Sequence, residues 1–98
     1  MHINQLQQAV RDDWAQRSRL SPTSEQKLLF VIEELGEVAE AIRRQSQHPG
    51  DHKADNGQLA SEFADLLIAV TTLANEYDVD LEAAIGGFWE KLASRRAA

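Results

Sequence analysis

Apolar residues in this chain recur at spacings of three and four from one end to the other, and no useful stretch alternates with period two. A helix turning about 100° per residue gathers such positions on one face, whereas a half-buried strand needs strict alternation. The sequence therefore reads as all-α. Ile3, Leu6, Val10 and Trp14 predict a first helix over roughly residues 3–18. Ser21-Pro22-Thr23-Ser24 reads as a turn, with Thr23 and Gln26 at the spacing of a capping box. A second helix extends to about Gln47 on a stripe of Leu28, Val31, Ile32, Leu35, Val38, Ala39 and Ile42. The segment HPGDHKADNG, residues 48–57, reads as a loop. Leu59, Phe63, Leu66, Leu67, Val70, Leu73 and Tyr77 predict a third helix, apolar nearly all round and so expected to be central and buried. Asp78-Val79-Asp80 is a connection able to cap a fourth helix over roughly 81–95, carrying Leu81, Ile85, Phe88, Trp89 and Leu92. Gly86-Gly87 inside it marks a kink or a close helix contact. The expectation is a single-domain four-helix bundle over residues 1–98, with a core small enough to favour an oligomer.

Charge narrows the function. The chain has 16 acidic and 10 basic residues, a net charge of -6. Six carboxylates in two short segments, Glu33, Glu34, Glu37, Glu40, Glu62 and Asp65, account for all of that excess. A nucleic acid polymer is an unsuitable partner, since phosphate neutralisation needs a basic face. Without cysteine there is no disulfide, no thiolate zinc site and no cysteine nucleophile. No signal-peptide pattern follows Met1, and the nearly apolar run from Phe63 to Ala74 contains Asp65 and is too short for a bilayer. The expected setting is the cytoplasm, with no membrane partner.

On a helical projection Glu33, Glu37 and Glu40 lie opposite the second helix's apolar stripe, with Glu34 on its flank. A solvated face is the plain explanation for such residues, and for Glu40 it is the favoured one. Against it for the others, no Lys or Arg interrupts positions 28–42, although like charges one turn apart repel by about 0.2–0.5 kcal/mol. Gly36 within the cluster leaves room for something to approach the backbone. Two helices joined by a short loop pack antiparallel, which can bring Glu34 and Glu37 opposite Glu62 and Asp65. Four such carboxylates suit a hard divalent cation, Mg²⁺ or Mn²⁺. A di-iron bundle would need Glu-x-x-His, and His2, His48 and His52 are not so placed.

Glu33-Glu34-Leu35-Gly36-Glu37, followed after 24 intervening residues by Glu62-Phe63-Ala64-Asp65, resembles the EExxE…ExxD signature of the MazG-like nucleotide pyrophosphohydrolases. The surrounding EELGEVAEAIRR, SEFADLLIAV and ANEYDVDLEAAI are similar to that family too, and the likeness covers about residues 25–96. It implies an all-α bundle forming homodimers or homotetramers. The reaction implied is Mg²⁺-dependent hydrolysis of a nucleoside triphosphate to monophosphate and pyrophosphate, suited to house-cleaning of the nucleotide pool. By motif position, Glu34, Glu37, Glu62 and Asp65 would be metal ligands, with Glu33 and Glu37 serving catalysis and Glu33 either an outer ligand or the group that helps to activate water. Lys91 and Arg95 match the family's triphosphate-binding pair on the last helix, although cations near a helix C-terminus also have the macrodipole as a reason. Relatives specific for pyrimidine deoxynucleotides carry an aromatic four residues after the final motif Asp, where this chain has Ala69. Trp14 is the candidate for stacking on a base, with core packing as its plainer role, and Asn75 either reads a base edge or caps a helix. Alternative functions are a phosphoribosyl-ATP pyrophosphohydrolase and a non-catalytic acidic module that binds metal or a basic protein.

Overall fold

The structure is a computed structural model describing residues 1–17, 19, 21–47 and 52–97, without the side chains of 52–56. Four helices follow one another: α1 (Ile3–Gln16), α2 (Ser24–Gln47), α3 (His52–Glu76) and α4 (Leu81–Ala97). Among the described residues there is no strand. The Thr23 box forms as its spacing predicts: Gln26 N–H donates to Thr23 Oγ1 (3.1 Å) and Thr23 N–H to Gln26 Oε1 (2.8 Å). At the end of α3 the chain closes a Schellman motif. Val79 N–H donates to Ala74 O (3.0 Å) and Asp78 N–H to Asn75 O (3.2 Å), with Asp78 left-handed at φ 53°. Asp80 Oδ1 then accepts the Ala83 N–H (3.0 Å) and caps α4 as expected.

One boundary differs. The expected loop over 48–57 is helical from His52 onward, so α3 starts six residues earlier than the Gly and Asn content suggests. Propensity is a weak prior and this stretch continues a strongly periodic helix; residues 48–51 lie outside the described set.

The most extensive packing is α2 along α3, followed by α1 across α3, while α4 rests on α1. Lys27 meets Glu76 and Glu34 meets Glu62 and Asp65, so α2 and α3 run antiparallel. The packed face of α2 is Lys27, Val31, Glu34, Val38, Ala41 and Gln45, and that of α3 includes Leu59, Glu62, Leu66, Ala69 and Leu73. Each is a seam of alternating three- and four-residue steps, as in a coiled coil.

This corrects the expected core. Val38 is buried and Val31 half-buried, but Leu28, Ile32, Leu35 and Ile42 are 49–56% exposed, and Ala39 is exposed too. They form a second seam one residue away from the packed one. Helix α3 is central, since it packs on both α1 and α2, yet Phe63 and Leu67 also stay about half exposed. On α4, Ile85, Phe88 and Trp89 are open as well. Nor do Gly86 and Gly87 mark a close contact within the chain: a methyl at either, or at Gly36, would meet nothing within 4 Å. The radius of gyration is 16.7 Å, against about 13 Å for a compact domain of this length.

A polar clamp sets where α4 leaves the rest. Gln7, only 3% exposed, donates from Nε2 to Asn75 Oδ1 (3.0 Å) and Val79 O (2.8 Å) and accepts the Leu81 N–H (3.0 Å). Asn75 Nδ2 donates back to Gln7 O (3.0 Å), so both ends of that amide are engaged in bracing α1 against α3.

Candidate active site

The antiparallel seam brings acids together where its pattern calls for apolar residues. Glu34 follows Val31 and precedes Val38 in the α2 seam, and Glu62 sits between Leu59 and Leu66 in that of α3. Asp65 lies one turn beyond Glu62. Oxygens of Glu34, Glu62 and Asp65 all come within 4.8 Å of one another, with the two glutamates half-buried and the aspartate exposed. Asp65 is thus less enclosed than the apolar run around it suggests. Burial, followed by the charges of Asp65, Glu62, Glu37 and Glu33, holds the Glu34 carboxyl above its ordinary 4.5.

No hydrogen bond or ion pair to these three carboxylates, or to Glu33 and Glu37, is present among the described residues. Two glutamates elsewhere are paired. Glu40 binds Arg43 and Arg44 one turn on, which draws its carboxyl below the ordinary value and makes it the ion-paired member of the six. Glu76 accepts from Lys27 and from Ser24 Oγ (2.6 Å) and is likewise lowered, chiefly by Lys27. Among the described residues Glu25, Asp78, Glu82 and Glu90 are unpaired as well, so what sets the trio apart is its convergence, and three converging oxygens are a suitable donor set for a hard divalent cation.

Beside the cluster lies a cavity of about 300 Å³ lined by Trp14, Phe30, Glu34, Asp65, Ile68, Ala69 and Thr72. It joins two acids to two aromatic rings in one space. Trp14 is half-buried, and its indole Nε1–H donates to Thr72 Oγ1 (3.2 Å). Neither Phe30 nor Thr72 stands out from the sequence; each is marked only by a helical step, from Glu34 and from Ala69 respectively. Of the other candidates, Glu33 and Glu37 are exposed and outside the three-acid group, although both act on Glu34 through charge. Lys91 and Arg95 are exposed on α4, which packs on α1, and neither lines this cavity.

Fold and site together define an all-α protein that gathers unpaired carboxylates between two antiparallel helices, next to an aromatic-walled cavity. The profile of the MazG nucleotide pyrophosphohydrolase domain matches residues 22–97, and the chain belongs to that family. No curated protein and no solved structure matches it. Helix α1, with Trp14, precedes the matched residues.

Proposed function

We propose that residues 1–98 act as one domain, a Mg²⁺-dependent nucleoside triphosphate pyrophosphohydrolase that releases a (deoxy)nucleoside monophosphate and pyrophosphate. Mn²⁺ is the alternative ion, and house-cleaning of nucleotides in the cytoplasm is the setting. The observation that carries this reading is the unpaired trio Glu34, Glu62 and Asp65 opening on a cavity with an aromatic wall. Family membership supports the reaction class. Among the described residues no helix is long and apolar enough to cross a membrane.

In this mechanism Glu34, Glu62 and Asp65 hold the cation, and Glu37 joins them by turning its exposed side chain inward. A bound cation would offset the charge of the polyphosphate and would acidify water. Glu33 would accept the proton of the water that attacks the α-phosphorus, and Trp14 would stack on the base. Without the ion, the five carboxylates repel a triphosphate.

Lys91 and Arg95 are proposed to contact the phosphates of a substrate held by an associated copy of the chain. Two observations support this arrangement. Helix α4 packs chiefly on α1 rather than on the α2–α3 seam that holds the acids, and Leu28, Ile32, Leu35 and Ile42 present an apolar seam that stays about half exposed. Exposed apolar surface of that extent marks an association face.

The test is pyrophosphate release from a panel of canonical and modified NTPs and dNTPs, with phosphoribosyl-ATP included, in Mg²⁺, Mn²⁺ or excess EDTA. Turnover of an NTP that EDTA abolishes is the expected result. Preference for phosphoribosyl-ATP would move the enzyme to the alternative reaction. No release from any substrate would leave a non-catalytic module.

A further inference from the structure

Trp14 and Thr72 are 58 residues apart in sequence, and their hydrogen bond ties the end of α1 to the C-terminal part of α3 at the edge of the cavity. The polarity of the contact is fixed. Thr72 is 4% exposed and its single hydroxyl hydrogen is donated to Ile68 O (2.8 Å), one turn back. Its oxygen is left as an acceptor, and an indole N–H can only donate. The ring therefore has one partner and one orientation at this edge. On the indole, the Arg17 guanidinium lies 4.9 Å from the ring centroid, held by its ion pair with Asp13 (2.8 Å). Arg17 does not line the cavity beside Glu34, so the cavity meets the indole away from that cation.

Building on the nucleotide reading above, we infer that Thr72 is a positioning residue: its hydroxyl locks the Trp14 indole as a preoriented wall for the nucleobase, while the acids hold the phosphate end. A side chain ordered before binding does not lose its rotamer freedom on binding, so the lock favours affinity for the base rather than the chemical step. Because α1 precedes the residues matched by the family profile, the base-reading wall comes from outside them and the hydroxyl that fixes it from inside.

The chain has two tryptophans, so Trp89→Phe leaves Trp14 as the only reporter. In that background, titration with a nucleoside monophosphate and Mg²⁺ should quench Trp14 emission, and titration with pyrophosphate and Mg²⁺ should not. In turnover, Thr72→Val should raise KM by about three- to ten-fold at unchanged kcat, with Thr72→Ser restoring most of the loss. Trp14→Phe removes the N–H but keeps a ring; once it is present, Thr72→Val should raise KM no further. An equal effect of Thr72→Val with and without the indole N–H, or a change in kcat alone, would show that Thr72 serves the fold and overturn the inference. Normal turnover without quenching by any nucleotide would overturn the base wall and leave the activity standing. Absence of turnover with quenching intact would instead remove the proposed activity and keep the wall.

Discussion

The unpaired trio predicts that this protein is destabilised by its own site until a cation arrives. Glu34→Gln tests that directly. Glu34, Glu62 and Asp65 hold oxygens within 4.8 Å of one another. At that separation, each like-charge pair costs about 0.9 kcal/mol in bulk water and about 3.5 kcal/mol at an effective dielectric of 20. Glu34 and Glu62 are only half-buried and Asp65 is exposed, so solvent and salt screening favour the lower figure. Removing both pairs that involve Glu34 should stabilise the metal-free protein by about 1–2 kcal/mol. For a domain of this size that is a rise in Tm of roughly 5–10 °C, read by thermal unfolding in EDTA at fixed protomer concentration. In Mg²⁺ the order should reverse. Wild type gains about 2.7 kcal/mol at 100 times Kd, while the variant, having lost a ligand, gains little. Glu40→Gln is the control, because that carboxylate is already paired with Arg43 and Arg44 and its loss should not stabilise. The pH dependence has a definite sign. A carboxyl raised above 4.5 binds its proton more tightly in the folded state, so metal-free stability falls as pH climbs from 4.5 through the raised value. Response to Mg²⁺ grows over the same window. A Glu34→Gln protein no more stable than wild type in EDTA would refute this reasoning.

Glu76 has the opposite sign: lowered by Lys27 and Ser24, it contributes stability above the ordinary carboxylate pKa that is lost as pH falls through its depressed value. Glu76→Gln should lower Tm near neutrality and flatten that acid limb. Gln7→Leu leaves the partners of three side-chain hydrogen bonds unsatisfied at a buried position and should cost about 2–4 kcal/mol in denaturant unfolding, with faster amide exchange at the start of α4. Ile32→Glu places a charge on the uncovered seam and should convert an oligomer to monomers in light scattering; a monomeric wild type would count against the proposed association. Mixing inactive Glu34→Gln with inactive Lys91→Ala chains should restore part of the turnover, since a mixed pair keeps one intact acid set facing one intact cation pair.

Much was legible in the residues themselves. The three- and four-residue spacings specify helices because that period is a local property of the backbone, and the caps at Thr23 and Asp80 form from neighbours in sequence. The acids Glu34, Glu62 and Asp65 stood out because nothing basic is interleaved with them. Where the chain misled was on which apolar stripe faces inward. Helix α2 carries two seams a residue apart, and hydrophobicity alone chose the more apolar one, Leu28 to Ile42. The packed seam instead contains Lys27, whose partner Glu76 lies 49 residues away, and Glu34, which meets the acids of α3 28–31 residues away.

Gln7 and Thr72 show the same limit. Both are polar and nothing in their own neighbourhood singles them out, yet both are nearly buried, with a distant donor or acceptor satisfying them. By itself, then, the sequence determined the helices, their caps and the set of acids, all of which depend on residues within a turn or two. Tertiary structure decided which acids converge, which aromatic ring stands beside them and which apolar face stays open, because those depend on contacts between residues far apart along the chain.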